Sequence, residues 1–224
     1  MTMNIDKQLI SNILDSPRAP ILLEEIKNKL EEESKKRVDF YNEVTEQEKA
    51  EFINGEIIIH SPVKKIHNEI SGNLYKILDT FVIENNLGFV GIEKVLIRFT
   101  RNDYEPDICF FNKEKTRKLK KDQTLFPIPD LIIEILSKGT AKRDRGIKFE
   151  DYEAHEVKEY WIVDPIKKVV EQYQNNKGKY ELILKSSSGE INSIAINNLS
   201  FPIKTIFDNK KTHQLIKKFL LESK

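Results

Sequence analysis

The sequence is short of the residue types that build many common active sites. It has one cysteine, Cys109, in 224 residues. That excludes an internal disulfide framework and a cysteine-rich zinc centre. Its apolar neighbours make Cys109 a buried structural thiol. The four histidines include no pair at HExxH spacing, so that kind of zinc site is excluded as well. No apolar run approaches the roughly 20 residues that a membrane-spanning helix needs. The polar start MTMNIDKQL lacks a signal-peptide core. A cytoplasmic protein is therefore expected. No internal repeat is found.

An excess of one charge is missing too. The 37 Lys and Arg residues nearly balance 36 Asp and Glu, for a net charge of +1. No general basic coat advertises a nucleic-acid binder. Two local basic runs exist, KEKTRKLKK at 113–121 and KRDR at 142–145. Each reads as a solvated loop or as a contact to a phosphate backbone, where lysines displace counterions. The length suits one domain with an appended arm.

Patterning supplies the elements. Ile5, Leu9, Ile10, Ile13 and Leu14 recur at helical spacing, and SPRAP at 16–20 breaks the chain. Ile21, Leu22, Ile26 and Leu30 mark a second helix, so residues 1–40 are expected to form a helical arm. It can pack on the domain or on a second copy. Asn54-Gly55 predicts a hairpin of strands 50–54 and 56–60. Apolar residues at 66, 70, 74, 77, 78, 81 and 82 predict a long amphipathic helix, closed near 85–88. Strands are expected at 89–99, 106–111 and 130–136, then a helix at 144–155 and a strand at 160–163. A hairpin at 169–185, a short strand near 191–196 and a last helix at 212–221 follow. The core order is helix, three strands, helix, strand, in an α/β architecture.

Acids inside apolar strands are the most informative residues. Glu134 interrupts LIIEIL and Asp107 opens PDICFF. A buried carboxylate is costly unless it is paired, hydrogen-bonded or metal-bound. Taken singly, either acid is equally consistent with a structural hydrogen-bonding role. Together, on successive strands and with Lys148 downstream, they point to a shared site. Two carboxylates plus water suit Mg²⁺ or Mn²⁺. Lys148 also lies four residues after Asp144, the spacing of an ordinary intrahelical ion pair. The chemistry indicated is phosphodiester hydrolysis, in which a metal polarises the phosphate and activates water while a lysine stabilises developing charge.

The segments EFINGEIIIHSP (51–62), His67, YEPDICFF (104–111), PDLIIEILSKGT (129–140), Asp144, Lys148, Tyr152 and EYWIVDP (159–165) occur in this order. Together they resemble the Uma2 family, described as restriction endonucleases, over residues 40–208. The resemblance implies the PD-(D/E)XK nuclease superfamily: a restriction-endonuclease-like mixed sheet with added β-hairpins and the N-terminal helical arm. It implies a domain at 41–208, with 1–40 as arm and 209–224 as a C-terminal helix. It assigns Asp107 and Glu134 as catalytic acids and metal ligands. The lysine expected two residues after the second acid is replaced by Leu136, and Lys148 is the substitute. Glu51 and Glu56 match the acids of the family's hairpin; either can face the metal or solvent. His67 is expected to hydrogen-bond at its helix N-terminus rather than bind metal. Ser137 and Thr140 are expected to cap the next helix, with phosphate contact as the alternative. The implied partner is DNA, the implied cofactor Mg²⁺ or Mn²⁺, and a homodimer is a candidate assembly. Two other functions stay open: a non-catalytic nucleic-acid-binding or assembly module, and a metal-dependent hydrolase of a small phosphorylated substrate.

Overall fold

Strands that lack polar alternation must be covered on both faces, and the architecture follows from that. The computed structural model describes residues 2–44 and 48–222, with side chains from residue 7 onward; Ile5 of the first apolar row lies outside the described side chains. Helices α1 (Thr2–Leu14) and α2 (Ala19–Glu43) precede hairpin β1 (Ala50–Ile53) and β2 (Glu56–Ile59). Helix α3 (Lys65–Glu84) leads to β3 (Gly88–Ile92), β4 (Leu96–Arg98), β5 (Asp103–Tyr104) and β6 (Ile108–Asn112). Then come α4 (Lys113–Thr116), β7 (Leu125–Phe126), β8 (Leu131–Ile135), α5 (Ala141–Asp144) and α6 (Ile147–Ala154). Strands β9 (Glu159–Asp164), β10 (Val169–Asn175), β11 (Tyr180–Ser186), β12 (Glu190–Asn192) and β13 (Ser200–Pro202) follow, and α7 (Asn209–Glu222) ends the chain.

The main sheet has six strands in the order β11-β10-β9-β8-β6-β3. The β8–β9 pair is parallel and the others are antiparallel. One face packs on α3 and α7: Ile133, Ile135, Phe110 and Trp161 meet Leu74, Ile77, Leu78 and Phe219. Full burial of each such aliphatic side chain contributes about 1.5–3 kcal/mol. The other face, through Ile132, Cys109 and Phe111, meets Tyr104, Ile97 and the α6 residue Tyr152. A second sheet, β2-β1-β5-β4-β7, covers that side. The mixed sheets, the helices and the core order α3, β3, β6, β8, α6, β9 match the expected fold class.

Two expectations need correcting. The strand expected at 89–99 is two strands in two different sheets. Glu93 and Lys94 between them adopt φ of 50° and 37°, a left-handed bend that costs non-glycine residues about 1–2 kcal/mol each. The helix expected at 144–155 is split at Gly146 into α5 and α6. Helix α2 runs on to Glu43, with Arg37 and Phe40 buried and Phe40 packed against Phe52 and Leu96. Further out, Leu9, Ile10, Leu14, Ile21, Leu23, Ile26 and Leu30 are exposed. Among the described residues no helix is long and apolar enough to cross a membrane.

Candidate active site

Asp107 sits one residue before β6, where the ladder to β8 continues in register: Ile108 faces Ile133. Its side chain extends that ladder, because Oδ2 accepts the Ile135 backbone N–H at 2.8 Å. Glu134 lies within β8 and is 4% exposed. Side chains alternate along a strand. Ile133 and Ile135 therefore face α3, while Glu134 shares its face with Ile132 and Leu136 and looks toward α6. Helix α6 presents Lys148 and Tyr152 on one side, four residues apart. Both reach Glu134 Oε1, Lys148 Nζ at 2.9 Å and Tyr152 OH at 2.9 Å. Leu136 stands on the face where a lysine would have met Glu134, but it packs in the apolar cluster. The ammonium arrives from α6 instead.

Lys148 is shared. Its Nζ is 2.7 Å from Glu51 Oε1 and 3.8 Å from Asp144 Oδ1. Glu51, on β1, also accepts the Glu105 N–H at 3.1 Å, and its Oε2 lies 3.0 Å from His60 Nε2. A second cluster surrounds Asp107. His67 Nε2 donates to Asp107 Oδ2 at 3.2 Å, and Lys49 Nζ donates to Asp107 Oδ1 at 3.0 Å and to Glu93 Oε2 at 3.2 Å. Glu134, Lys148 and His60 from the first cluster and Asp107, His67, Lys49 and Glu93 from the second line one cavity of about 730 Å³, together with Ser137, Thr140 and Arg143.

The electrostatics are uneven. Burial alone would raise Asp107; the His67 hydrogen bond and the Lys49 charge outweigh it and hold the carboxyl well below the usual range. Burial raises Glu51 likewise, but Lys148 and His60 bring it down to about 2. Glu134 goes the other way. Burial pushes it up to about 8; Lys148 opposes this, while Asp144, Asp107 and Glu51 add to it. Asp144 is also raised, chiefly by burial, with Lys148 and the Thr140 hydroxyl opposing the rise. Burial lowers His67, but its contact with Asp107 leaves it raised overall.

These residues fit a divalent cation. Five carboxylates, Glu51, Glu93, Asp107, Glu134 and Asp144, face two lysines, Lys49 and Lys148. His67, Glu93 and Asp107 each offer a ligand atom, all within 4.8 Å of one another. The donors are carboxylate oxygen and imidazole nitrogen, with no thiolate among them, a set for a hard or borderline divalent ion.

The expected residues fall into place unequally. Asp107, Glu134, Lys148, Glu51 and His67 come together. Glu56 does not: it shares the Glu51 face but lies further toward the turn, opposite Ile53, and is exposed. His67 is not a helix-terminal cap; it is buried against Asp107. Thr140 makes no capping bond to α5. Instead Ser137 Oγ accepts the Thr140 N–H at 3.2 Å, and the two hydroxyls lie 3.0 Å apart. The run at 113–121 begins where β6 ends, at the opposite end of the strand from Asp107. Arg145 is tied to Glu171 at 2.6 Å. Arg143 comes from the basic run at 142–145, whereas Lys49 and Glu93 were not expected. Lys49 sits in a charged stretch with no pattern, and Glu93 was hidden inside a presumed continuous strand.

Comparison with known proteins bears on the fold and the family. A protein of Synechocystis sp. (strain ATCC 27184 / PCC 6803 / Kazusa), named Uncharacterized protein sll1609, is 30% identical over 145 residues, or 64% of this chain and 81% of that protein. A solved structure described as a putative nuclease belonging to DUF820, from Anabaena variabilis ATCC 29413, shares the fold. Its TM-score is 0.65 at 20% identity, covering 78% of this chain and 97% of that one. The model of the Uma2 family, described as "Putative restriction endonuclease", matches residues 37–203, and this chain belongs to that family.

Proposed function

We propose that the chain is a metal-dependent endonuclease that hydrolyses DNA phosphodiester bonds. The observation that carries this reading is the convergence of Asp107, Glu134 and Lys148 on one cavity. Asp107 and Glu134 would hold Mg²⁺ or Mn²⁺, with His67 and Glu93 beside Asp107. When bound, the cation neutralises phosphate charge and makes water acidic enough to attack. Lys148 and the Tyr152 hydroxyl fix the rotamer of Glu134, and Lys148 fixes Glu51 through the same ammonium. On this reading residues 41–208 carry the chemistry, helix α7 closes the domain, and residues 1–40 form an arm whose last turns pack on the domain while its exposed apolar row suits a second copy.

Arg143 supplies the positive group that the buried lysines cannot. It lines the cavity, and its Nε is buried with no partner among the described residues. A phosphate oxygen would satisfy it. Arg143→Ala should weaken duplex binding severalfold and reduce the slope of log affinity against log salt by about 0.9, the value for one lost phosphate contact. Fluorescence anisotropy across a salt series measures both; an unchanged slope would remove Arg143 from the interface.

A second reading is favoured by one observation: Lys148 is 1% exposed and bonded to two carboxylates, so it offers no free ammonium. The chain would then be a nucleic-acid-binding or assembly module. Supercoiled plasmid with Mg²⁺ or Mn²⁺ separates the two. Nicking by the wild type and not by Asp107→Asn supports the nuclease. A retarded but intact plasmid supports the module.

A further inference from the structure

We propose that Asp107, Glu93 and His67 form a divalent-cation site in which the Lys49 ammonium stands in for the metal until an ion displaces it. The proposal rests on reading the cavity as a metal site, and it concerns what the chain does before metal arrives.

Lys49 Nζ bridges Asp107 Oδ1 at 3.0 Å and Glu93 Oε2 at 3.2 Å. A single cation touching two carboxylates is the arrangement a metal ion would adopt. The ligand atoms of Asp107, Glu93 and His67 lie within 4.8 Å of one another. One ion with oxygen and nitrogen bonds of about 2.0–2.6 Å spans most of such a gap, and small side-chain shifts close the rest. His67 is 6% exposed, and its Nδ1 is buried without a partner among the described residues. Glu93 reaches this place because its left-handed backbone turns the chain out of β3, with its own N–H donated to the Asp107 carbonyl at 3.1 Å.

Lys49 is built to leave. Its backbone is tied down, since its carbonyl accepts the His60 N–H at 2.9 Å. Only the flexible four-carbon stem has to swing, and that stem lines the open cavity. Lys148 differs. It is held by Glu51, Glu134 and Asp144, carried on three separate elements, and its side chain is 2% exposed. It stays when metal binds.

An internal competitor weakens apparent affinity by the fraction of time the site is free. If Lys49 is seated about nine-tenths of the time, the penalty is about tenfold. Calorimetric titration of the full chain with Mn²⁺ tests this. Lys49→Met should bind Mn²⁺ about tenfold tighter than the wild type, and Glu93→Gln should bind it more weakly. Equal or weaker binding by Lys49→Met would overturn the proposal, as would unchanged binding by Glu93→Gln. Should Lys49→Met not fold, the wild type decides by amine acylation read by mass spectrometry. Modification of Lys49 should rise severalfold on adding Mn²⁺ while Lys148 stays protected; unchanged labelling of Lys49 overturns the proposal. A chain that shows this displacement yet leaves DNA intact would sink the nuclease reading alone. One that cuts DNA without it would sink the displacement alone.

Discussion

Glu134→Gln should reduce plasmid nicking by about a hundred- to a thousandfold, the scale of losing a group that stabilises charge at the reacting phosphate, while leaving the metal-free protein folded. The two effects separate because glutamine keeps the shape and the acceptor. Lys148 Nζ and Tyr152 OH both donate to Glu134 Oε1, and an amide oxygen can accept the same two bonds. What glutamine lacks is the negative charge that holds a cation. Nicking of supercoiled plasmid measures the first effect, and thermal unfolding in chelator measures the second. Undiminished nicking would remove Glu134 from the catalytic set.

The same variant tests the account of burial. Burial pushes Glu134 from an ordinary 4.5 to about 8. Between those values the metal-free folded chain keeps a proton that the unfolded chain has lost. Stability from this group is therefore full below about pH 4.5 and is drained as pH rises through about 8. In chelator the wild type should lose thermal stability across that window more steeply than Glu134→Gln. Parallel curves would mean that Glu134 is ionised in the fold, with Lys148 compensating it fully.

How much of this was legible in the sequence depended on whether one strand or one helix carried the signal. An acid inside LIIEIL stands out because five apolar neighbours fix the strand and its burial. The same holds for Asp107 before ICFF. The helix of residues 65–84 was readable from its apolar row, and the hairpin from Asn54-Gly55. Lys148 could be nominated, but its partners could not. Its ties to Glu51 and Glu134 join residues 97 and 14 positions away, across two sheets, and no periodicity encodes that. Glu93 was lost for a local reason. Residues 89–99 alternate well enough to pass for one strand, and only a tertiary constraint makes Glu93 and Lys94 take positive φ. Propensity argues against that bend, and the two-sheet packing overrides it. Glu56 failed in the opposite way. It shares a face with Glu51, but face alone does not say how far along the hairpin the core extends.

The arm shows the same limit and gives the largest expected stability effect. Arg37 is part of the helical arm by pattern, yet it is a structural member of the domain. Its Nε and Nη2 donate to both oxygens of Asp103 at 2.7 and 2.6 Å, and its remaining donors reach the carbonyls of Phe99, Thr100 and Asn102. Asp103 is fully buried, with Tyr41 OH its other side-chain donor. Arg37→Ala leaves that carboxylate in the interior without a counter-charge and takes the guanidinium donors from the carbonyls of Phe99 and Thr100, while the Asn102 carbonyl keeps the Phe99 N–H. Removing one partner of a buried pair costs about 3–5 kcal/mol, a drop of roughly 10 °C for a chain of this size. Thermal unfolding by circular dichroism measures it, and a shift under about 2 °C would show that water replaces the guanidinium. Arg37→Ala with Asp103→Ala should be less destabilised than Arg37→Ala alone, because no charge is then left buried. Asp103 pairs with Phe52 next to Glu51 and lies four residues before Asp107. The arm's last turns therefore brace the strand that leads into the site, and loosening them should lower nicking even though Arg37 itself lines no part of the cavity.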